Sequence, residues 1–328
     1  FSVAARLCAA IGVSSLGRAA RELHAWMFDH AAPICNAGAL FDFAGVVRVL
    51  KWQVGDVRIT QVVELTTASL GPHLLPQATP AAMQSIPWMA PFIDERGRIV
   101  LSMHALVVES LGQTIVVDTC IGNDKSRTYP KWNNMQGDFL QRFSAAGFST
   151  QQVDTVLCTH MHVDHVGWNT RWQDGAWLPT FPRAEYLFAE DEWQYWREQS
   201  QEYGPVIEDS VQPIFDSGQA VLVSQQHRLN EEIFLLPTPG HTPGHVSVHI
   251  QSKGEAAIIT GDMLHHPCQI VHPDWSTTAD TDQSMAAATR TAFLRQYSDQ
   301  PVLVIGTHFA APTAGHIVRD GVAYRLSY

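Results

Sequence analysis

Basic residues are scarce. Lysine and arginine total 21 against 32 aspartates and glutamates in 328 residues, a formal charge of −11, and they form no run. Such a chain repels phosphate backbones and anionic headgroups, which argues against nucleic acid and membrane surfaces as partners. Long apolar runs are missing too: the greasiest segments, such as Val302 to Ile305, are strand-sized, whereas a spanning helix needs roughly 20 residues. Cysteines are few and odd in number (Cys8, Cys35, Cys120, Cys158 and Cys268), without paired spacing. That disfavours a disulfide framework and favours a reducing compartment, so the expected location is the cytoplasm. What is present is 45% hydrophobic and 16% charged, apolar enough to bury a large core. The unusual abundance is histidine, with 16 residues.

Residues 1–50 are rich in alanine with scattered arginines and contain no acid before Glu22. Arg6, Ser14 and Arg18 break the apolar run, which weakens a secretory reading. The expectation is an N-terminal extension, helical or poorly ordered, ahead of one catalytic domain over 51–328. From Val57 onward, short β-type runs alternate with helical stretches. Strands are expected at 58–65, 105–109, 114–117, 156–158, 186–188, 233–236, 246–250, 257–260 and 302–305. Helices are expected at 136–146, closed by Gly147, at 191–199 and at 281–297. Lys253-Gly254 and Arg319-Asp320-Gly321 read as hairpin turns. No low-complexity linker divides the chain, and a single α/β domain is the simplest account.

The chemistry concentrates at strand ends. His160, His162, Asp164 and His165 form an H-x-H-x-D-H run directly after the apolar strand at 156–158. Four metal-competent side chains where the chain must turn project into one small volume, which a solvated polar loop does not explain. His241 follows the strand at 233–236 in Pro239-Gly240-His241-Thr242-Pro243-Gly244-His245, where glycine and proline fix a tight loop. Asp262 ends the run Ile258-Ile259-Thr260-Gly261, and His308 ends Val302 to Thr307. Five imidazoles and two carboxylates suit Zn²⁺, with Mn²⁺, Fe²⁺ or Co²⁺ as alternatives.

As an ordered set, H-x-H-x-D-H, G-H-T-P-G-H, I-T-G-D and G-T-H resemble the metallo-β-lactamase superfamily over about residues 57–328. The resemblance implies a four-layer αββα sandwich holding two divalent metal ions, with zinc as the default. His160, His162 and His241 would bind one, Asp164, His165 and His308 the other, and Asp262 would bridge them. Two close cations lower the pKa of a shared water, making a bridging hydroxide the nucleophile. Asp164 would orient it and deliver a proton to the leaving group. Asp118 stands where the family often has an aspartate that braces a ligand, whereas Cys120 replaces the family's usual glycine. His245 reads equally as a support for the ligands or as loop packing.

Trp168, three residues past His165, together with His265, His266 and Trp275 after Asp262, are the candidate substrate-pocket residues. Such a pocket favours hydrophobic acyl or aryl groups. The order Gly261-Asp262, Thr277-Thr278, Asp280, Asp282, Thr307-His308 and Gly315-His316 is most similar to the branch containing methyl parathion hydrolase, lactonases and esterases. That branch implies hydrolysis of small hydrophobic carboxylic esters or lactones of the acyl-homoserine-lactone type. The alternatives are a phosphotriesterase or phosphodiesterase, and a redox-active or non-catalytic metal-binding member. Related enzymes are often dimers, which leaves a homodimer open.

Overall fold

Alternation along the strands sets the layering, because successive side chains on a strand face opposite ways. The computed structural model describes residues 49–199 and 203–328. Except for Val49 and Leu50, the expected extension over 1–50 lies outside the described residues. Seven strands form the first sheet, in the order β1 (Lys51–Val54), β2 (Val57–Thr67), β3 (Leu101–Ser110), β4 (Gln113–Val117), β5 (Thr155–Leu157), β8 (Glu185–Ala189) and β9 (Ala220–Val223). A separate hairpin joins β6 (Thr170–Gln173) to β7 (Ala176–Pro179). The second sheet runs in chain order: β10 (Ile233–Pro237), β11 (Val246–Ser252), β12 (Glu255–Ile259), β13 (Val302–Ile305), β14 (Ala314–Asp320) and β15 (Ala323–Ser327).

Leu106, Ile115, Val117 and Leu157 of the first sheet meet Val248, Ile259 and Ile305 of the second in one buried cluster. Their neighbours Val107, Val116, Val156, Ile258 and Val304 belong to the other cluster, with Phe139, Phe143, Phe293 and Leu294 from helices Phe139–Ala145 and Gln283–Tyr297. Helix, sheet, sheet and helix are thus stacked as the α/β sandwich that the sequence resemblance implied. Strand direction also matters: β4, β5, β8 and β9 pair in parallel, as do β12 and β13. The loops leaving β5 and β12 carry the histidine cluster and Asp262.

Helix boundaries contract relative to the sequence reading. The expected helix at 281–297 starts at Gln283 because Asp282 serves as its N-cap, accepting the Met285 amide at 2.9 Å. The 136–146 segment forms a helix only over Phe139–Ala145, followed by Gly147 at φ 101°. In the last hairpin Asp320 pairs with Ala323, so the turn is Gly321-Val322 and Arg319-Asp320 remain in the strand. Among the described residues no helix is long and apolar enough to cross a membrane.

Candidate metal centre

The run His160–His165 begins where β5 ends, and hydrogen bonds fix that exit. The Thr159 amide donates to Asp118 Oδ1 at 2.7 Å, and the Thr159 hydroxyl to Oδ2 at 2.9 Å. On the second sheet, the loop between β10 and β11 brings His241 across. Gly240, at φ 127°, allows this loop to lie against the Gln283–Tyr297 helix, since a Cβ there would fall 2.3 Å from the Ala286 nitrogen.

His160, His162, His241 and Asp262 converge as one group, and Asp164, His165 and His308 as another. In the first, His241 Nε2 lies 2.8 Å from His162 Nδ1 and 3.2 Å from His160 Nε2. In the second, His165 Nε2 and His308 Nε2 are 3.2 Å apart, with Asp164 Oδ2 3.5 Å from His308. Asp262 faces both groups: Oδ2 is 3.4 Å from His241 and 3.2 Å from His165, and Oδ1 is 3.1 Å from His308.

Three of the outer imidazole nitrogens are committed elsewhere. His165 Nδ1 is 2.9 Å from Asp118, His241 Nδ1 is 2.9 Å from Asp280, and His308 Nδ1 donates to the Ser102 carbonyl at 3.2 Å. A proton held on the outer nitrogen leaves the inner one with a lone pair directed into the centre. Burial lowers the pKa of His160 and His162 well below the usual value and that of His241 to about 4, keeping these rings neutral, whereas at His165 and His308 nearby carboxylates, Asp262 foremost, outweigh burial and raise it. Asp262 Oδ1 is fully enclosed and, although 3.1 Å from His308 Nε2, makes no well-aligned hydrogen bond. Imidazole nitrogens and buried carboxylate oxygens crowded together without well-aligned hydrogen bonds are costly unless a cation lies between them, so the donor set fits divalent metal. His241, His265 and Asp280 also approach one another. There, however, Asp280 already accepts from His241 and from Arg290, at 3.3 Å, an orienting role rather than a third site.

Asp118 thus occupies the bracing position that the sequence suggested, and Cys120 takes φ 54°, the left-handed conformation that glycine ordinarily supplies. His245 acts as a support: its Nε2 accepts the Asp262 amide at 2.8 Å. Three proposed pocket residues require correction. Trp168 is buried beneath the site, where its ring stacks on Phe139 and its indole N–H donates to Glu64 at 2.6 Å. A buried indole needs an acceptor, and the one available lies in the core rather than the cavity. His266 turns away to hydrogen-bond the Phe92 carbonyl at 2.8 Å, and Trp275 stacks on His272. Only His265 of the four lines the cavity; its Nε2 is 3.1 Å from Asp262 Oδ2, and its Nδ1 has no partner.

The cavity over the centre has a volume of about 380 Å³. Its walls are largely apolar, with Leu70, Leu74, Leu101, Met103, Tyr129 and Trp132, while Asp164, His265 and Thr278 supply polar edges. Among the described residues no lysine or arginine lines it.

A sheet sandwich with histidine and aspartate donors gathered at its strand ends defines an α/β protein with a metal-binding centre. The chain belongs to the metallo-beta-lactamase superfamily, whose family model matches residues 100–308. A probable metallo-hydrolase of Mycobacterium tuberculosis is 25% identical over 194 residues, which cover 51% of this chain and 58% of that protein. An N-acyl homoserine lactonase of a Bacillus species is 28% identical over 116 residues, 34% of this chain and 39% of its own. The chain therefore spans little more than half the length of such curated relatives at most. Among solved structures, AidC, a dizinc quorum-quenching lactonase in complex with the product N-hexanoyl-L-homoserine, superposes with a TM-score of 0.70 at 21% identity. The match covers 85% of this chain and 96% of that one.

Glu64 and Glu192 had no role in the sequence reading, and Asp280 entered it only within the pattern shared with the esterase and lactonase branch. For Glu64 a signal existed: an acid inside the apolar strand Val62-Val63-Glu64-Leu65. For Asp280 the signal was its place in that pattern, which did not say that it would orient His241.

Proposed function

We propose that the protein hydrolyses small, uncharged, hydrophobic carboxylic esters or lactones, the acyl-homoserine-lactone type included, at a centre of two zinc ions. The carrying observation is the apolar cavity, with no lysine or arginine among its described lining residues, set directly over the converging histidines and aspartates. Beyond the metal ions themselves, anionic substrates such as phosphodiesters would find no lysine or arginine among the described lining residues, whereas a neutral acyl group gains from apolar contact. His160, His162 and His241 would hold one ion and Asp164, His165 and His308 the other, with Asp262 between them. When bound, such ions supply Lewis acidity and lower the pKa of a coordinated water toward neutrality.

The chain's own residues would do the rest. Leu70, Leu74 and Trp132 bind the acyl portion and exclude water. Asp164, half-buried at the cavity edge, has an oxygen free to take a proton and return it to the leaving alkoxide. His265 offers an unpaired nitrogen within the same wall. The lactonase relative and the dizinc lactonase of like fold support this reading. A panel of lactones, aryl esters, phosphotriesters and phosphodiesters, assayed on protein of measured metal content, tests it. Lactones or esters should lead. Preferential turnover of a phosphodiester, or saturation at fewer than two metals per chain, would overturn it.

A further inference from the structure

Two buried glutamates outside the donor set share one pattern of contacts. Glu192, in the first turn of the helix Glu190–Trp196, is 1% exposed. Its Oε1 accepts the Met161 amide at 3.0 Å and the Trp196 indole N–H at 2.6 Å, and its Oε2 accepts the Gly244 amide at 3.0 Å. Glu64 accepts the Ile121 amide at 2.8 Å, the Gly122 amide at 3.2 Å and the Trp168 indole N–H at 2.6 Å. Each carboxylate therefore gathers two backbone amides and one indole.

The amides are not arbitrary. Met161 sits between His160 and His162, while Gly244 follows His241 by three residues in a loop of the other sheet. Gly244 approaches so closely that a Cβ would lie 2.2 Å from the Glu192 nitrogen. The Val246 amide bonds to the Thr159 carbonyl at the strand ends, and Glu192 joins the same two loops further out through their backbone. Glu64 reaches its place because β2 bulges there: Val63 pairs with His104 and Leu65 with Met103, leaving Glu64 turned inward. The loop it holds carries Asp118 and is joined to the second group, since the Thr119 amide donates to the His165 carbonyl at 2.7 Å. Neither glutamate lines the cavity.

We propose that Glu192 and Glu64 are matched positioning residues, Glu192 clamping the loops of His160, His162 and His241, and Glu64 clamping the loop that orients His165. The proposal rests on the two-metal reading for its metal consequences but not for its geometry. Removing a clamp leaves two buried amides without an acceptor, so the segment must open toward water.

The test uses the full chain with Glu192→Ala, Glu64→Ala, Trp196→Phe and Trp168→Phe. In zinc-stripped protein, peptide-level hydrogen exchange should quicken in Glu192→Ala over 159–163 and 241–246 and stay as in wild type over 118–122. Glu64→Ala should give the converse. Zinc titration against a chromophoric chelator should show one of two ions weakened about 10–100-fold in each variant. Trp196→Phe and Trp168→Phe keep a ring and delete only the indole donor. They should shift the same segments less, and they decide the matter if an alanine variant fails to fold. Exchange that is unchanged, or that rises evenly across the chain with lost stability, would overturn the clamps. Wild-type protein holding fewer than two ions would instead sink the two-metal reading, leaving the exchange comparison intact.

Discussion

Asp118 Oδ2 stands 2.9 Å from His165 Nδ1 while Oδ1 accepts the Thr159 amide at 2.7 Å. One carboxylate thereby fixes both the exit of β5 and the tautomer of an imidazole whose Nε2 faces Asp262 at 3.2 Å. Asp280 repeats the arrangement for His241, and buried Arg290 and the Thr277 hydroxyl hold Asp280 in turn.

Asp118→Asn keeps the shape but turns an amide N–H₂ toward one of these donors. Metal affinity at the His165 group should fall about 10–100-fold. Chelator competition measures this, and wild-type affinity in the variant would remove Asp118 from the orienting role.

Asp262 is the carboxylate that faces both donor groups, and His308 joins its group from the second sheet. Asp262→Ala and His308→Ala should each abolish turnover while circular dichroism stays near wild type, because neither side chain packs the inter-sheet cluster. Full activity in either variant would exclude that residue from the proposed site.

The parts legible in the sequence were those governed by local pattern. Alternating apolar strands gave the layers, and the four strand-end motifs gave residues that the fold does bring together. Short or exposed elements were missed: β1, β9 and the β6–β7 hairpin bury too little for periodicity to register, although Asp174-Gly175 supplied a turn signal. Glu192 and Glu64 escaped because their partners are backbone amides of distant loops, which leave no trace in side-chain spacing. Trp168 was misplaced for a related reason. Proximity to His165 in sequence says nothing about which side of the loop the ring occupies, and an acceptor 104 residues away in the chain decided it.

Leu74 forms part of the apolar wall of the cavity and is only half-buried. Leu74→Ala should cost about 1–2 kcal/mol of binding to a long acyl chain, a five- to thirty-fold drop in kcat/KM, and little for an acetyl-sized substrate. A chain-length series reads the difference. Equal losses on short and long substrates would place the acyl group elsewhere.

Lys125 supplies a pH prediction away from the centre. Its side chain is fully buried, donating to Thr170 Oγ1 at 2.8 Å and the Asp209 carbonyl at 3.0 Å, with its ammonium over the Trp177 ring. Burial pulls its pKa from 10.5 to about 7, against the opposing pull of Asp209. Below pH 7 the amine is protonated in both folded and unfolded chains, and the full cost of burying the charge is present. Between pH 7 and 10.5 the unfolded chain binds the extra proton and the folded one does not, so this group makes stability rise with pH. Lys125→Met removes that contribution. Unfolding free energies measured by denaturant from pH 6 to 10 should therefore show the wild type gaining on the variant as pH increases. A constant difference across the range would mean that the lysine stays charged in the folded protein, held by Asp209.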